Sequence, residues 1–343
     1  MPSSPQLPLP RVPDPLAAPP LRWGVLGTGW IAERFTTALH GNTGQRMVAV
    51  GSRGADRAAE FARRVGVERS YDGYEALVAD PEVDVVYVAT PHHMHLSHAL
   101  LAIEAGKHTL VEKPIALDAD QAGKIAGAAR SAGVFCMEAL WTMCLPKYDV
   151  VRQVVDNGML GDLRTAILDH GEWFDVGHRI MRPDLAGGSL LDLATYTVAV
   201  ADDLLGPADT VTATAEMAPS GVEGQVSAIA RHASGAHALH HSTILTDTSV
   251  RAVAAGTEGL LVMEPPFWGP GPLTVRFHDG RPDLTYDEPP IRHQALYWQA
   301  AEVARRIAAG EAESAQRPLE ASVRCMGVLD EIRAAAGVPR PPA

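Results

Sequence analysis

The residues with the clearest chemical potential form a glycine-rich turn near the N-terminus. An apolar strand ends at Leu26 and runs directly into the pattern G-x-G-x-x-A, residues 27–32, which a helical pattern follows. Gly27 permits a tight turn, Gly29 lets the backbone approach a pyrophosphate, and Ala32 allows close packing of helix and strand. The helix N-terminus adds free N–H groups and a positive dipole. The turn therefore predicts dinucleotide binding by Gly27, Thr28, Gly29, Trp30 and Ile31.

The end of the second strand indicates which dinucleotide is bound. The strand Met47–Gly51 is followed by Ser52 and Arg53, where a site for NAD would carry an Asp or Glu on the ribose 2′-hydroxyl. A hydroxyl followed by a guanidinium suits a 2′-phosphate instead. We therefore predict NADP rather than NAD, with Ser52, Arg53 and Arg57 as contacts. The alternative is that Arg53 and Arg57 are solvated residues at the start of a helix.

Polar residues also follow two later strands of the same region. Open α/β sheets bind ligands beyond the carboxyl ends of their strands, which here places the segments 90–95 and 112–114 at the site. A lysine directly after a buried strand and before a proline is poorly explained as a surface charge, so we expect Lys113 to be functional. The further cofactor contacts predicted from this position are Thr90, Pro91, His92, His95 and Glu112.

Several histidines in this region raise the question of a metal. His92, His95 and His98 could share one helical face, but no carboxylate or cysteine stands with them at ligand spacing. We therefore predict no metal site.

The elements that would position these residues alternate between strand and helix. Besides the first two strands, we predict strands over 83–89, 108–111 and 134–137 and helices over 55–65, 93–105 and 118–132. Such alternation predicts a parallel, doubly wound sheet of about six strands. Residues 21–140 are accordingly assigned to an NADP-binding Rossmann domain of the α/β class.

Past Pro146 the pattern changes to long alternating segments. Helices are predicted over 147–156, 188–205, 292–309 and 318–336, and strands over 163–174, 210–217, 223–232, 236–246, 249–255 and 258–264. These predict an α+β domain with a large, mostly antiparallel open sheet, which we assign to residues 141–343 as a substrate-binding unit. Because such a sheet needs both faces covered, its outer face predicts a homodimer or homotetramer interface.

Composition limits the class of protein further. The 343 residues suggest two domains, and the net charge of −12 without a Lys/Arg run argues against nucleic acid and anionic membranes as partners. Three cysteines without a C-x-x-C pair fit a reducing compartment. Residues 1–20 hold eight prolines and are predicted to be a flexible tail. No apolar run is long enough to cross a bilayer, so we expect a cytoplasmic protein.

Taken together, these motifs resemble a known family. Residues 27–32, the segment Ala89-Thr90-Pro91-His92 and the motif Glu112-Lys113-Pro114 are similar to the Gfo/Idh/MocA oxidoreductases. Residues 137–142 and 187–196 resemble the branch that holds dihydrodiol and NADP-dependent D-xylose dehydrogenases. The resemblance covers about residues 21–335 and implies a Rossmann domain followed by a domain with a large open sheet. It leaves the substrate open, because the family acts on sugars, inositols, diols and imines.

The resemblance also implies roles for individual residues. It places Lys113 beside the nicotinamide and the substrate hydroxyl, with a commonly cis Lys-Pro peptide, and His95 near the nicotinamide pocket. Tyr196 corresponds to the family's acid/base residue and Asp192 to its partner carboxylate. These two lie four residues apart in a helical segment and so share one face. Without the resemblance, Tyr196 could equally be a core residue and Asp192 a capping group.

The chemistry required by hydride transfer fits these residue types. As hydride reaches a carbonyl carbon its oxygen must gain a proton, and the reverse reaction must remove one. A phenol with an ordinary pKa near ~10 could do this if a neighbouring ammonium such as Lys113 favoured the phenolate. A carboxylate at Asp192 would oppose that shift of the phenol pKa.

Two positions depart from the pattern of the branch. Met143 and Cys144 follow Trp141-Thr142 where an arginine and an aromatic residue are usual, and Ala194 stands where a glycine commonly precedes the tyrosine. The first change removes a positive charge and makes a less polar substrate plausible. The second is small.

The combined prediction is an NADP-dependent oxidoreductase that transfers hydride between nicotinamide and a secondary alcohol or ketone. The expected small-molecule substrate is a sugar, a cyclitol, a dihydrodiol or a specialised biosynthetic compound. An alternative is a hydrolase or epimerase of the same fold that recycles hydride on a retained nucleotide. A nucleotide-sensing regulator is a third possibility that the presence of Lys113 and Tyr196 disfavours.

Overall fold

The protein folds into two compact units in a computed structural model that describes residues 6–341. The first unit comprises residues 13–144 and 293–323. The second comprises residues 145–292 together with the described parts of 1–12 and 324–343.

The first unit is built on a six-stranded parallel sheet. Its strands are β1 (Arg22–Leu26), β2 (Arg46–Ser52), β3 (Arg69–Asp72), β4 (Val85–Val88), β5 (His108–Glu112) and β6 (Cys136–Ala139). Their order is β3-β2-β1-β4-β5-β6, and every neighbouring pair is parallel. Four of them, β1, β4, β5 and β6, are almost continuously buried, as expected of a sheet with both faces covered. The predicted doubly wound sheet is confirmed.

Helices follow the strands of this sheet in alternation. They are α1 (Trp30–Asn42), α2 (Ala55–Val65), α3 (Glu75–Val78), α4 (His95–Glu104) and α5 (Ala119–Ala132). Strand order reverses between β1 and β4, and the carboxyl ends of strands at such a switch point form the ligand-binding edge of a doubly wound sheet. The segments after β1, β4 and β5 therefore share one edge.

A segment from late in the chain completes the first unit. Helix α8 (Tyr297–Ala308) contacts α1 and the short 3-10 turn Pro15–Ala17. Ala18, Ala301 and Ala304 form a buried cluster of small side chains that lets these elements approach closely. Residues 293–323 thus belong to the first compact unit, together with residues 13–144.

The sequence predicts a flexible tail over residues 1–20, but the described part of this proline-rich segment is held by contacts with the rest of the protein. Arg11 forms a 2.8 Å ion pair with Asp149, and the Leu9 carbonyl accepts a 2.9 Å hydrogen bond from Gln153. Ala18 is buried. Prolines lower the conformational entropy of the unfolded chain, so ordering the segment costs less free energy and a few contacts suffice to hold it. Residues 1–5 lie outside the described residues.

The second unit contains a mixed eight-stranded sheet. Its strands are β7 (Leu163–Gly171), β8 (Ala208–Met217), β9 (Glu223–His232), β10 (His237–Thr243), β11 (Ala252–Gly256), β12 (Gly259–Met263), β13 (Leu273–Phe277) and β14 (Leu284–Tyr286). Their order is β14-β13-β12-β11-β7-β10-β9-β8, and only the β7–β10 pair is parallel. The predicted large, mostly antiparallel sheet is confirmed, with β13 and β14 as additions.

The two faces of this sheet differ in what covers them. Helix α6 (Pro146–Asp156) opens the unit, and α7 (Thr195–Leu205) packs on β7 and β10; the C-terminal part of α9 (Leu319–Ala335) also belongs here. On the opposite face, Ile167, Leu239 and Ile229 form one cross-strand row over β7, β10 and β9. Their side chains are 47%, 38% and 49% exposed. We call these three residues the apolar row.

A buried ion pair joins the late segment to the parallel sheet. The Glu138 carboxylate on β6 accepts hydrogen bonds from the Arg317 guanidinium at 2.6 and 2.9 Å and from the Ser322 hydroxyl at 2.8 Å. Its other oxygen accepts the Ile115 N–H at 3.0 Å. Since both charged side chains are at most 3% exposed, either one alone would be an uncompensated buried charge.

Replacing Arg317 with Met should therefore lower the free energy of unfolding by about 3–5 kcal/mol, because the Glu138 carboxylate would stay buried without its counter-charge. Denaturant unfolding followed by circular dichroism measures this loss. Arg130→Met is the control: its pair with Glu313 is half exposed, so the expected loss is within about 1 kcal/mol. Equal losses in the two variants would contradict the assignment of the buried pair.

Candidate active site

The glycine turn after β1 has the geometry of a dinucleotide-binding turn. Gly27 has φ +109°, and a Cβ at this position would lie 2.6 Å from the Ala89 carbonyl oxygen, so a side chain is excluded on both grounds. A Cβ on Gly29 would meet nothing within 4 Å. The protein's own packing therefore leaves open space over the N-terminus of α1, where a pyrophosphate would bind. Ala32 is fully buried, as the close helix–strand packing requires.

Trp30 is the first residue of α1 and stands out by its exposure. Its indole is 57% exposed and packs edge-on against the imidazole of His293, with ring centroids 4.7 Å apart. His293 in turn lies 5.7 Å from Trp141. Thr28 and Ile31, the remaining predicted contacts of the turn, are partly exposed beside Trp30. The contact with His293 was missed from the sequence, since 263 positions separate it from Trp30.

Two guanidinium groups gather after the end of β2. Ser52 is buried at the strand end, whereas Arg53 and Arg57 are exposed. Both arginines act on the same phenol: burial raises the pKa of Tyr74, and the charges of Arg53 and Arg57 lower it. Their positive charges therefore converge on one side of this strand end, as a phosphate site requires.

The segment after β4 is held by two buried histidines. The Thr90 carbonyl lies 2.8 Å from His95 Nε2, and the Thr90 hydroxyl lies 3.0 Å from His98 Nδ1. Burial lowers the pKa of His98. Pro91 is exposed, and His92 is buried with its ring 5.6 Å from that of His95. These imidazoles thus order the loop.

Every residue around Lys113 is anchored. The Glu112 carboxylate accepts hydrogen bonds from the Tyr87 hydroxyl and from the Lys113 backbone N–H, the latter at 3.1 Å. The Lys113–Pro114 peptide is cis, and the Pro114 carbonyl lies 2.7 Å from His95 Nδ1. The next backbone N–H is the one bound by Glu138. Lys113 is thereby fixed at the carboxyl edge of the sheet.

Among residues 6–341, no group of three or more His, Cys, Asp or Glu side chains is arranged to hold a metal ion. His95 contacts the carbonyls of Pro114 and Thr90, and His98 contacts the Thr90 hydroxyl.

The second unit carries the other two predicted catalytic residues. Asp192 lies in a single π-helical turn, Leu190–Ala194, that leads directly into α7, and Tyr196 is the second residue of α7. Such π turns interrupt α-helices frequently at functional sites. The Asp192 carboxylate forms a two-pronged pair with the Arg179 guanidinium, at 3.0 and 3.3 Å. Its negative charge is thereby compensated.

Two glycines before this turn are required by their surroundings. Gly188 has φ +114°, and a Cβ there would collide with the Glu223 carboxylate; a Cβ on Gly187 would lie 2.3 Å from the Ile180 carbonyl. Glu223 also accepts the Leu190 N–H at 3.1 Å, and burial raises the pKa of its carboxyl group. The turn that presents Asp192 is therefore tightly specified.

Aromatic rings surround Tyr196. The His170 ring lies 5.4 Å from it, Trp268 lies 5.9 Å from it, and Phe267 packs on His170 at 5.9 Å. Sequence reasoning missed all three of these partners. A loop rich in Pro and Gly that carries two adjacent aromatic residues, 264–272, was the available signal for Phe267 and Trp268.

The three residues that depart from the pattern of the branch, at positions 143, 144 and 194, are all buried. Met143 and Cys144 are buried in the short helical turn Trp141–Cys144 of the first unit. Ala194 is buried in the π turn of the second. Apolar side chains therefore suit all three positions.

Each unit thus gathers its own set of predicted residues. The first brings together the glycine turn, the end of β2 and the anchored Lys113, a set suited to binding a dinucleotide and presenting an ammonium. The second brings together Asp192 and Tyr196, a set suited to moving a proton. In the described part of the chain, no helix is both long and apolar enough to span a membrane.

Comparison with protein families matches both units. Residues 21–140 match the model described as an oxidoreductase family with an NAD-binding Rossmann fold. Residues 148–262 match the model of the GFO/IDH/MocA C-terminal domain.

Individual relatives agree with the family match. Trans-1,2-dihydrobenzene-1,2-diol dehydrogenase of Mus musculus is 34% identical over 330 residues, covering 94% of this chain and 98% of the relative. The Homo sapiens enzyme of the same name is 31% identical with the same coverage.

Solved structures resemble the chain over nearly its whole length. A 3-ketoreductase from Actinomadura kijaniata, in complex with NADP and TDP-benzene, has a TM-score of 0.82 and 27% identity, with 92% of this chain and 98% of that chain covered. Levoglucosan dehydrogenase, in complex with NADH and levoglucosan, has a TM-score of 0.84 at 21% identity, with 93% and 98% covered. The latter shows a shared fold.

Proposed function

Because this chain belongs to the Gfo/Idh/MocA oxidoreductase family, we propose that it transfers hydride between NADP and a secondary alcohol or its ketone. The proposed substrate is a sugar, a cyclitol or a dihydrodiol. Its relatives include a trans-1,2-dihydrobenzene-1,2-diol dehydrogenase, and its structural neighbours include a 3-ketoreductase solved with NADP and TDP-benzene, which supports a substrate of this kind.

The anchoring of Lys113 is the observation that carries this proposal. Three separate contacts, to Glu112, Pro114 and Ile115, fix the backbone on both sides of the lysine at the ligand-binding edge. An acid/base group gains efficiency when its geometry is set before the reaction begins. We assign Lys113 to orient the substrate oxygen and to favour its loss or gain of a proton.

Tyr196 is assigned as the proton donor or acceptor of the reaction. Its neighbour Asp192 would disfavour a phenolate if its charge were uncompensated. The two-pronged pair with Arg179 offsets the charge of Asp192, so this carboxylate opposes a phenolate at Tyr196 less strongly. Variants of the Actinomadura ketoreductase with a Tyr replaced by Phe and a Lys replaced by Ala have been solved, so these residue types were chosen for substitution there.

The aromatic surroundings of Tyr196 support a ring-shaped substrate. Trp268 and Tyr196 lie with their rings inclined by 36°, and His170 and Phe267 continue the cluster. Aromatic faces favour the apolar faces of rings, whether of a sugar, a cyclitol or a dihydrodiol.

Replacing Lys113 with Ala should lower kcat by about two to four orders of magnitude and leave NADPH binding nearly unchanged, because the lost group acts on the reacting oxygen. Tyr196→Phe should cause a loss of similar size. If the two residues act as one unit, their effects should not add. The kcat of the double variant should then lie within about tenfold of the kcat of the slower single variant. Steady-state kinetics at the nicotinamide absorbance band measures these rates.

Lys107→Met supplies the matched control. Lys107 lies just before β5, and its ammonium donates hydrogen bonds to the carbonyls of Asp80 and Val83. Its loss should reduce stability but not kcat. Unchanged turnover in Lys113→Ala would remove that residue from the mechanism. A protein that purifies with bound nucleotide and turns over without any net absorbance change would favour the hydrolase or epimerase alternative.

The preference for NADP is assigned to the two guanidinium groups after β2. Arg53→Ala should weaken NADPH binding by about 10- to 100-fold and NADH binding by less than about threefold, because only NADPH carries the 2′-phosphate. Fluorescence titration with each nucleotide gives both constants. Arg63→Ala, at the far end of α2, should leave both unchanged. Equal losses for the two nucleotides in Arg53→Ala would show that Arg53 does not read the phosphate.

A homodimer or homotetramer through the outer face of the second sheet is part of the same proposal. The apolar row runs across three adjacent strands, and a two-fold axis could pair it with its own copy. The sheet edge and face would then be protected from unspecific association.

Ile229→Lys should shift the protein toward monomer, because a charge would be buried in the paired row. Light scattering coupled to size exclusion over a range of concentrations measures the assembly. Leu16→Lys, at an exposed leucine of the N-terminal segment, should leave the assembly unchanged. A parent protein that is monomeric at micromolar concentration would contradict the proposed interface.

A further inference from the structure

His170 is a buried histidine that no predicted role includes. It lies on β7 near the end of the strand, in the second unit, and its side chain is 1% exposed. One ring nitrogen, Nδ1, lies 3.2 Å from the Leu193 carbonyl oxygen. The other, Nε2, lies 3.0 Å from a carboxylate oxygen of Glu172. The ring itself packs at an inclination of 61° on that of Tyr196.

Both partners of this imidazole are hydrogen-bond acceptors. A backbone carbonyl oxygen can only accept a hydrogen bond, and an ionised carboxylate also only accepts. Glu172 is 39% exposed, so its carboxylate keeps contact with water in the ionised form. Both ring nitrogens must therefore donate, which requires the imidazolium.

The position of these contacts links His170 to the reacting residues. Leu193 lies between Asp192 and Tyr196 in the chain, so the bond to its carbonyl fixes the backbone that carries both. The Glu172 backbone N–H donates to the Thr243 carbonyl at 3.0 Å, which anchors the counter-ion to β10. An imidazolium centred 5.4 Å from the Tyr196 ring stabilises negative charge on that phenol.

We propose that His170 is a positioning residue for Tyr196: its two N–H groups join the backbone at Leu193 to the carboxylate of Glu172, and its ring holds a positive charge against the phenol. The inference rests on the proposed role of Tyr196 in proton transfer. The His170 imidazolium supplies a positive charge from within the same unit. Burial and the aromatic neighbours Phe267 and Trp268 would otherwise disfavour a phenolate at Tyr196.

Two other titratable side chains lie on elements next to this site, Asp192 and His240. On the adjoining π turn, Asp192 is compensated by Arg179. On β10, His240 contacts the Thr197 hydroxyl of α7 at 3.2 Å, and burial lowers its pKa to about 4, so it is neutral near pH 7. The loop that contributes Phe267 and Trp268 brings aromatic rings against His170. The His170 ring therefore packs directly on the Tyr196 ring within this unit.

The ionisation of Tyr196 itself provides the test. Absorbance titration at the tyrosinate band, recorded for each protein and for the same protein with Tyr196→Phe, isolates the titration of this phenol by difference. In His170→Phe, which keeps an aromatic ring but lacks charge and donors, the midpoint should rise by about one to two pH units. The apparent pKa that the pH profile of kcat/KM gives for this phenol, on its alkaline or acidic side, should move in the same direction.

His240→Phe is the matched control, since it replaces a buried but neutral histidine that contacts the same helix. It should leave the Tyr196 midpoint where it is in the parent protein. An unmoved midpoint in His170→Phe would overturn the inference, and so would an equal shift in His240→Phe, because the effect would then be one of packing.

If His170→Phe does not fold, Glu172→Gln decides the question. This half-exposed substitution keeps a hydrogen-bond acceptor but removes the negative partner of the imidazolium, so the Tyr196 midpoint should again rise, by a smaller amount. An unmoved midpoint would overturn the inference in this variant too. Full activity of Tyr196→Phe would instead overturn the proposed function, while the titrations would still decide the role of His170.

Discussion

The buried carboxylate of Glu138 is the interaction on which the first unit depends. A buried carboxylate without a counter-charge is destabilising, and here Arg317 supplies the counter-charge from a segment about 180 residues later in the chain. The same carboxylate also binds the backbone two residues after Lys113. One ion pair therefore both recruits residues 293–323 to the parallel sheet and holds the loop that presents the proposed catalytic lysine.

A comparable arrangement of charge organises the second unit. Asp192 is presented by a π turn whose entry requires two glycines, because Ile180 and Glu223 occupy the space that side chains would need. Arg179 compensates the Asp192 carboxylate, and His170 with Glu172 forms a second pair beside Tyr196. Opposite charges are thus matched around a phenol that must change its own charge if it transfers a proton.

Much of the fold could be predicted because its signals are local. The helix over 55–65 and the strand over 223–232 have the predicted bounds, since a glycine ends the first and strict alternation marks the second. The strands at 273–277 and 284–286 were not predicted, because they are short and lie among prolines and glycines. The N-terminal segment was predicted from composition, which carries no information on the single contacts of Arg11 and Ala18 that order it.

The sequence by itself determined the dinucleotide turn, the two strand ends that carry Thr90 and Lys113, and the two-part organisation. Each of these depends on residues a few positions apart, whose spacing sets backbone geometry and helix or strand periodicity directly. Only the tertiary structure decided which charges meet: Arg179 with Asp192, Glu138 with Arg317, and His170 between Leu193 and Glu172. Most of these contacts depend on how distant strands and helices pack, and even the His170–Glu172 pair, two residues apart, depends on which way each side chain faces. Such packing depends on the summed burial of many side chains, so spacing along the chain could not reveal it.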